Sequence, residues 1–234
     1  MTTTPNPSDP VALVSIDGTT WSHAPAGRVT KIVIGTPPKP GDDAKLVGLK
    51  GEVLDKLTEL LASPDLTHLH LWQIDNRAAI LTQLPGKLQA LDVRGCPDLT
   101  TLPPLPGTLE TLDVGWCANL SEIPYMALPA LSWFHVDGCV QLDETDLNAI
   151  LKKCQALLEF TATDCVQLSK LSLPPQSTSL QLRRLDLNGC AGLTSLTAFP
   201  KDQNGEPSVS SLYIAGCRKL ETFCGMDVRE VMRS

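Results

Sequence analysis

Residues 88–117, LQALDVRGCPDLTTLPPLPGTLETLDVGWC, decide the fold. In them Leu88-x-x-Leu91-x-Val93-x-x-Cys96 returns 21 residues later as Leu109-x-x-Leu112-x-Val114-x-x-Cys117. A self-similar unit of this length marks a chain built from stacked supersecondary units. Working outward, the same segment begins at Leu66, Leu88, Leu109, Leu131, Leu157, Leu182 and Val209, at spacings of 22, 21, 22, 26, 25 and 27 residues. Each segment alternates apolar and polar residues, as a half-buried strand does. The expectation is therefore an α/β chain built as a stack of strand-bearing units, each packed on its neighbours. Between the strands, Leu102-Pro-Pro-Leu-Pro106 suits extended backbone, and Glu144 to Cys154 reads as a short amphipathic helix. The return side is thus expected to be mostly irregular or short-helical.

The flanks complete this picture. Residues 1–10, rich in Thr and Pro, read as a flexible tail, and residues 11–65 as an N-terminal cap with the first repeat. Within that cap, Val11–Ile16 and Val29–Ile34 read as edge strands, with Asp17-Gly18 as a turn. Leu46, Leu49, Val53, Leu57 and Leu60 make one apolar stripe, predicting a helix over about 44–62 that Asp42 or Asp43 would cap. Residues 66–234 form the repeats and a C-terminal cap, so the chain reads as one continuous domain. The stretch from Phe199 to Pro207 reads as a projecting loop and Phe223 to Ser234 as a last helical turn.

Charge and composition exclude several functions. The chain of 234 residues is 42% hydrophobic, only 4% aromatic, and carries a formal charge of −7. An acidic balance disfavours nucleic acid and anionic membranes as partners. No apolar run approaches the ~20 residues of a membrane-spanning helix, and the N-terminus lacks a secretory signal pattern. The expected location is the cytoplasm.

With the first residue of each segment as position one, positions one, four, six and nine point inward. Position nine holds Cys96, Cys117, Cys139, Cys165, Cys190 and Cys217, with Ile74 in the Leu66 unit. Cysteine there serves as a compact buried hydrophobe with a weak donor. Inter-rung disulfides are disfavoured because strands ~4.8 Å apart hold these Cβ atoms too far apart. Cys154 and Cys224 lie outside this ladder and read as packed, not reactive.

Positions three and five face out, with seven and eight at the rim. Trp72, Trp116 and Trp133, three of four tryptophans, fall there, with Tyr213 and with His68, His70 and His135, three of four histidines. Exposed Trp and Tyr are common anchors of binding. Asp92, Arg94, Asp113 and Asp137 share the surface; the three aspartates would set its charge preference toward a basic segment, and Arg94 would relieve the repulsion between the neighbours Asp92 and Asp113. The row His70, Asp92, Asp113 and His135 spans ~14 Å, too far for one metal ion. There is no phosphate-cradling loop and no nucleophile elbow. The reading is non-enzymatic, without metal or other cofactor, and leaves the oligomeric state open.

Leu99-Thr-Thr-Leu-Pro-Pro-Leu-Pro-Gly-Thr-Leu-Glu-Thr-Leu-Asp-Val114 resembles the short leucine-rich repeats of bacterial effectors. Gly138-Cys139-Val-Gln-Leu142 through Cys154-x-x-Leu157 is similar to the cysteine-containing repeats of ubiquitin-ligase substrate adaptors. The resemblance covers residues 66–224, and more loosely 29–65. It implies a curved solenoid with a parallel sheet on its concave face, the surface on which such proteins bind other proteins. The expected function is a non-catalytic protein-interaction module, effector-like as the bacterial-type repeats imply, with non-classical export if it acts as an effector. One alternative is the substrate-recognition part of a ubiquitin-ligase or immune-receptor assembly. A more remote one is a hydrolase or metal enzyme using the His/Asp row.

Overall fold

The structure, a computed structural model, describes residues 10–15, 28–38, 46–49, 51–75, 81–124, 127–173, 182–197, 209–223 and 226–227. In chain order the elements are β1 (Pro10–Ser15), β2 (Arg28–Ile34), β3 (Val47–Gly48), α1 (Gly51–Leu61), β4 (His68–Leu71) and β5 (Ile74–Asp75). There follow β6 (Ala90–Asp92), β7 (Thr111–Asp113), β8 (Trp133–His135), α2 (Glu144–Leu151), β9 (Glu159–Thr161) and β10 (Lys170–Ser172). The last are β11 (Leu182–Asp186), β12 (Ser195–Thr197), β13 (Val209–Tyr213), β14 (Thr222–Phe223) and β15 (Met226–Asp227).

The fold is α/β. Nine strands form one sheet in the order β1-β2-β4-β6-β7-β8-β9-β11-β13, every pair parallel. The register follows the sequence columns: Ala90 pairs with Thr111, Thr111 with Trp133, Trp133 with Glu159, and Glu159 with Arg184. A slip of one residue would turn every leucine to the opposite face, so the burial of one face holds this register. Leu66, Leu88, Leu109, Leu131, Leu157 and Leu182 at position one are all fully buried, as are Leu69, Leu91, Leu112, Phe134, Phe160 and Leu185 at position four. Each such side chain contributes about 1.5–3 kcal/mol by leaving water. Phe134 and Phe160 meet at 5.4 Å between ring centroids, filling the space where two neighbouring units carry Phe in place of Leu.

Backbone bonding repeats with the columns. The position-six amide of one unit donates to the position-five carbonyl of the next, as Val93 to Asp113, Val114 to His135 and Val136 to Thr161. The position-eight amide donates to the next position-seven carbonyl, as Gly95 to Gly115 and Gly138 to Thr163. The thiols complete the pattern. Each donates to the position-six carbonyl one unit back: Cys96 to Leu71, Cys117 to Val93, Cys139 to Val114, Cys165 to Val136, Cys190 to Ala162 and Cys217 to Leu187, at 2.9–3.3 Å. A buried carbonyl at the end of a strand needs a donor, and cysteine supplies one without losing apolar packing.

The return side differs from expectation in three places. The helix expected over about 44–62 starts at Gly51, because Val47–Gly48 is drawn into β3 by pairing with β5 and by the bond from Val47 N to Gln73 O, 2.7 Å. Only Val53, Leu57, Leu60 and Leu61 of its stripe are buried, while Leu46 is exposed. The return stretches of the later units are not irregular: β10, β12, β14 and β15 form a second sheet, parallel except for the β14–β15 hairpin. That hairpin stands where a helical turn was expected from Phe223. The helix expected over 144–154 is α2, capped by Asp143, whose carboxylate accepts from Thr145 N at 2.8 Å. The Asn148 amide of α2 bonds Lys170 O and Ser172 N, at 3.0 and 2.7 Å, substituting for a strand beside β10.

At the other edge, Pro10, read as part of the tail, already belongs to β1. The remaining tail, the Asp17-Gly18 turn, the Asp42/Asp43 cap, the loop of 199–207, Cys224 and residues 228–234 lie outside the described residues. No helix among the described residues is long and apolar enough to cross a membrane.

Candidate functional site

The face of the main sheet opposite the leucine columns carries positions three and five. Its most exposed large apolar side chains are Trp133, at 41%, and Tyr213, at 44%. Between their strands lie Glu159 on β9 and Arg184 on β11, and the Arg184 guanidinium sits 5.2 Å from the Tyr213 ring centroid. Of these four, Trp133, Arg184 and Tyr213 are exposed and Glu159 is half-buried.

The other residues singled out by sequence are more committed to the scaffold. Asp92 is 6% exposed. Arg94 grips it through two bonds, Nε to Oδ1 at 2.9 Å and a terminal nitrogen to Oδ2 at 2.7 Å, while Nε also lies 3.2 Å from Asp113 Oδ2. The repulsion expected between Asp92 and Asp113 is thus relieved by one shared cation. Burial pushes the Asp92 carboxyl up, but His70, Arg94 and Trp72 together outweigh it and hold its pKa at about 2. Trp72 is half-buried beneath Arg94, whose guanidinium carbon lies 5.8 Å from the ring centroid.

The acidic column is explained by one backbone donor, the position-seven amide. Where position five is Asp, its Oδ1 accepts that amide within the unit: Arg94 N to Asp92 at 3.3 Å, Gly115 N to Asp113 at 3.0 Å and Asn188 N to Asp186 at 3.2 Å. Two units lacking that Asp are served by the preceding unit's position seven instead. Asp137 Oδ1 accepts from Thr163 N and Asn188 Oδ1 from Ala215 N, both at 2.7 Å. The second oxygen of Asp137 accepts from Thr161 Oγ1 at 2.8 Å. Asp92 and Asp137 therefore brace the turn after the strand, as Asx side chains do, and have little free capacity to select a partner.

Position eight follows a rule of its own. Gln73, Gly95, Trp116, Gly138, Asp164, Gly189 and Gly216 all have positive φ, between 51° and 82°. Left-handed backbone costs a non-glycine residue roughly 1–2 kcal/mol. Each of the three non-glycine side chains leans over the glycine of the next unit. A Cβ on Gly138 would lie 2.7 Å from Trp116 Cδ1, one on Gly95 3.1 Å from Gln73 Cγ, and one on Gly189 would collide with the Asp164 carboxylate. Trp116 is consequently half-buried, a bracket between two units more than a free anchor. The column of glycines was visible in the sequence; that its exceptions share the same backbone was the missed signal.

An uninterrupted row of charges crosses the face. It runs Asp92–Arg94–Asp113–His135–Glu159–Arg184–Asp186, with successive closest approaches of 2.7, 3.2, 3.5, 3.5, 3.7 and 2.9 Å. His135 stands at its centre, Nδ1 toward Asp113 and Nε2 toward Glu159. Burial lowers the His135 pKa, but Asp113, Glu159 and Asp137 more than compensate and raise it. At the N-terminal end His70 faces Asp92 at 3.5 Å and meets Trp72 at 5.4 Å between ring centroids. His68 nearby has a lowered pKa, through burial and the Lys31 charge.

The six ladder cysteines and Cys154 are free thiols, all buried except the half-buried Cys217. Burial pushes the Cys139, Cys154 and Cys190 thiols up to about 12, which removes the thiolate that reactivity requires. Among the described residues no group of three or more His, Cys, Asp or Glu side chains is placed to hold a metal ion. No protein-family model matches the chain, and no curated protein is significantly similar to it in sequence.

Proposed function

We propose that the chain is a leucine-rich-repeat solenoid, and that the open face of its main sheet is the concave surface of a non-catalytic protein-binding module. The observation that carries this reading is the contrast between the two faces. The inward columns are fully buried Leu and Phe, whereas the outward columns leave Trp133 and Tyr213 exposed in a chain with only 4% aromatic residues. Tyr, Trp and Arg dominate binding hot spots because they bury large area with few rotamers to immobilise. Nine strands in fixed register hold these groups in place before a partner arrives, so docking costs little ordering entropy.

The proposed patch is centred on Trp133, Glu159, Arg184 and Tyr213, flanked by His135 and Trp116. The charge row holds four carboxylates to two guanidiniums, which favours a partner segment bearing basic side chains. The test is affinity capture from the native source, comparing the wild-type chain with the double variant Trp133→Ala/Tyr213→Ala. Both side chains lie outside the buried core, so the variant should fold with an unchanged circular dichroism spectrum and lose the captured protein. Capture at the wild-type level by the folded variant would place the binding surface elsewhere.

A further inference from the structure

His135 is the titratable link at the middle of the charge row. Its ring is flanked by Asp113 from β7 and Glu159 from β9, each at 3.5 Å, with Asp137 two residues on in the turn after β8. Beyond those carboxylates stand Arg94 and Arg184, each also held by an aspartate of its own unit, Asp92 and Asp186. With the imidazole protonated, every neighbour in the row has the opposite sign. With the imidazole neutral, the row splits into two halves, and Asp113 and Glu159 face a ring that no longer balances them.

We infer that His135 is a proton-operated latch on the binding face: a cationic side chain of a partner docks between Asp113 and Glu159, and the His135 proton is released as it does so. This rests on the proposed binding role of the same face and adds its regulation. Protonated His135 occupies the electrostatic place that a partner Arg or Lys would take. Two cations cannot share it without repulsion, so proton and partner compete. Trp133 stands two residues before His135 on the same face of β8, exposed, where it can cover the aliphatic stem of an incoming side chain. Asp113, Glu159 and Asp137 raise the His135 pKa above that of an ordinary histidine, so the proton competes from a higher pH than it otherwise would. Protonating the ring closes the row and releases the partner; removing the proton opens it.

Two measurements on the full chain test this. Imidazole NMR follows the titration of His135. Its pKa is expected above the ordinary histidine value of about 6.5 and should fall in both Asp113→Asn and Glu159→Gln. The amide oxygen introduced by Asp113→Asn would keep the acceptor that Gly115 N uses, so the fold is retained. Calorimetry with the blocked peptide acetyl-Arg-Arg-Arg-amide then compares affinity at about pH 5.5 and about pH 8.5. Wild type should bind about tenfold tighter at the higher pH, equivalent to ~1.4 kcal/mol, and His135→Gln should bind equally at both. Equal wild-type affinities, binding at neither pH, or a pH dependence that survives in His135→Gln overturns the latch. So does a His135 pKa insensitive to both carboxylate variants. None of these results bears on Trp133→Ala/Tyr213→Ala capture, so failure of the latch and failure of the binding face are distinguishable.

Discussion

Replacing Gly138 with alanine asks whether Trp116 is displayed or built in. Two costs follow from the structure. Gly138 has φ +66°, so an alanine there is strained by roughly 1–2 kcal/mol. Its Cβ would also stand 2.7 Å from Trp116 Cδ1, well inside the ~3.5–4.0 Å optimum between carbons. Displacing the indole costs about 1–3 kcal/mol, as overpacking generally does. Gly138→Ala should therefore destabilise by about 2–5 kcal/mol in total. In a Trp116→Gly background the second cost disappears and only the left-handed strain of about 1–2 kcal/mol remains. A double-mutant cycle by urea unfolding should give a coupling of at least about 1 kcal/mol between the two positions. Additive effects within about 0.5 kcal/mol would mean that the indole swings freely. Trp116 would then count again among the anchors that a partner meets.

Three further outcomes follow from individual side chains. Asp92→Asn should cost on the order of 2 kcal/mol at neutral pH, the equivalent of lowering a carboxyl from 3.8 to about 2. Because its folded pKa is depressed, this stabilisation is full above the unfolded value and vanishes as pH falls through about 2. Thermal melts of variant and wild type should converge in strong acid, and a constant gap would refute the assignment. Cys139→Ala should destabilise by about 2 kcal/mol, chiefly from the lost sulfur volume, while the Val114 carbonyl loses one of two donors and keeps the Cys117 amide. Urea unfolding showing no loss would remove the thiol from its bonding role. In timed alkylation of the native protein followed by peptide mapping, Cys217 should react first among the seven described cysteines, since it alone is half-buried. Earlier modification of Cys139 or Cys165 would contradict the inward column.

The strand columns were legible because an apolar residue, mostly leucine, repeats in phase at positions one and four over seven units, and burial of one face admits only one register. The cysteine column was legible as a small buried residue, but not as a donor, since its carbonyl partner lies 24–30 positions back in the chain. The second sheet left no mark because Lys170–Ser172 and Ser195–Thr197 each offer a single apolar residue, too little for a period. Helix α1 is shorter than its apolar spacing predicts: Leu46 and Leu49 continue that spacing, but the pairing of β3 with β5 decides the backbone there. At the site, alternation placed Trp133, His135 and Tyr213 on the open face, but it cannot show what an aspartate accepts. Asp92 and Asp137 point to that face, yet their oxygens are taken by Arg94, Thr161 and turn amides. Arg184 and Glu159 occupy outward position three of their segments, but only the spatial row joining them to His135 shows their place in the site.

The central claim, that the open face of the main sheet receives a protein partner, is tested most directly by site-specific photocrosslinking. A benzophenone side chain placed at Thr111, beside Trp133 across the β7–β8 register, reports on the open face. One placed at Thr197, exposed on the second sheet, reports on the return side. In the native source, the Thr111 probe should form a covalent adduct with one partner, the Thr197 probe none, and Trp133→Ala should abolish the first adduct. The same partner crosslinked from Thr197 but not from Thr111 would contradict the account.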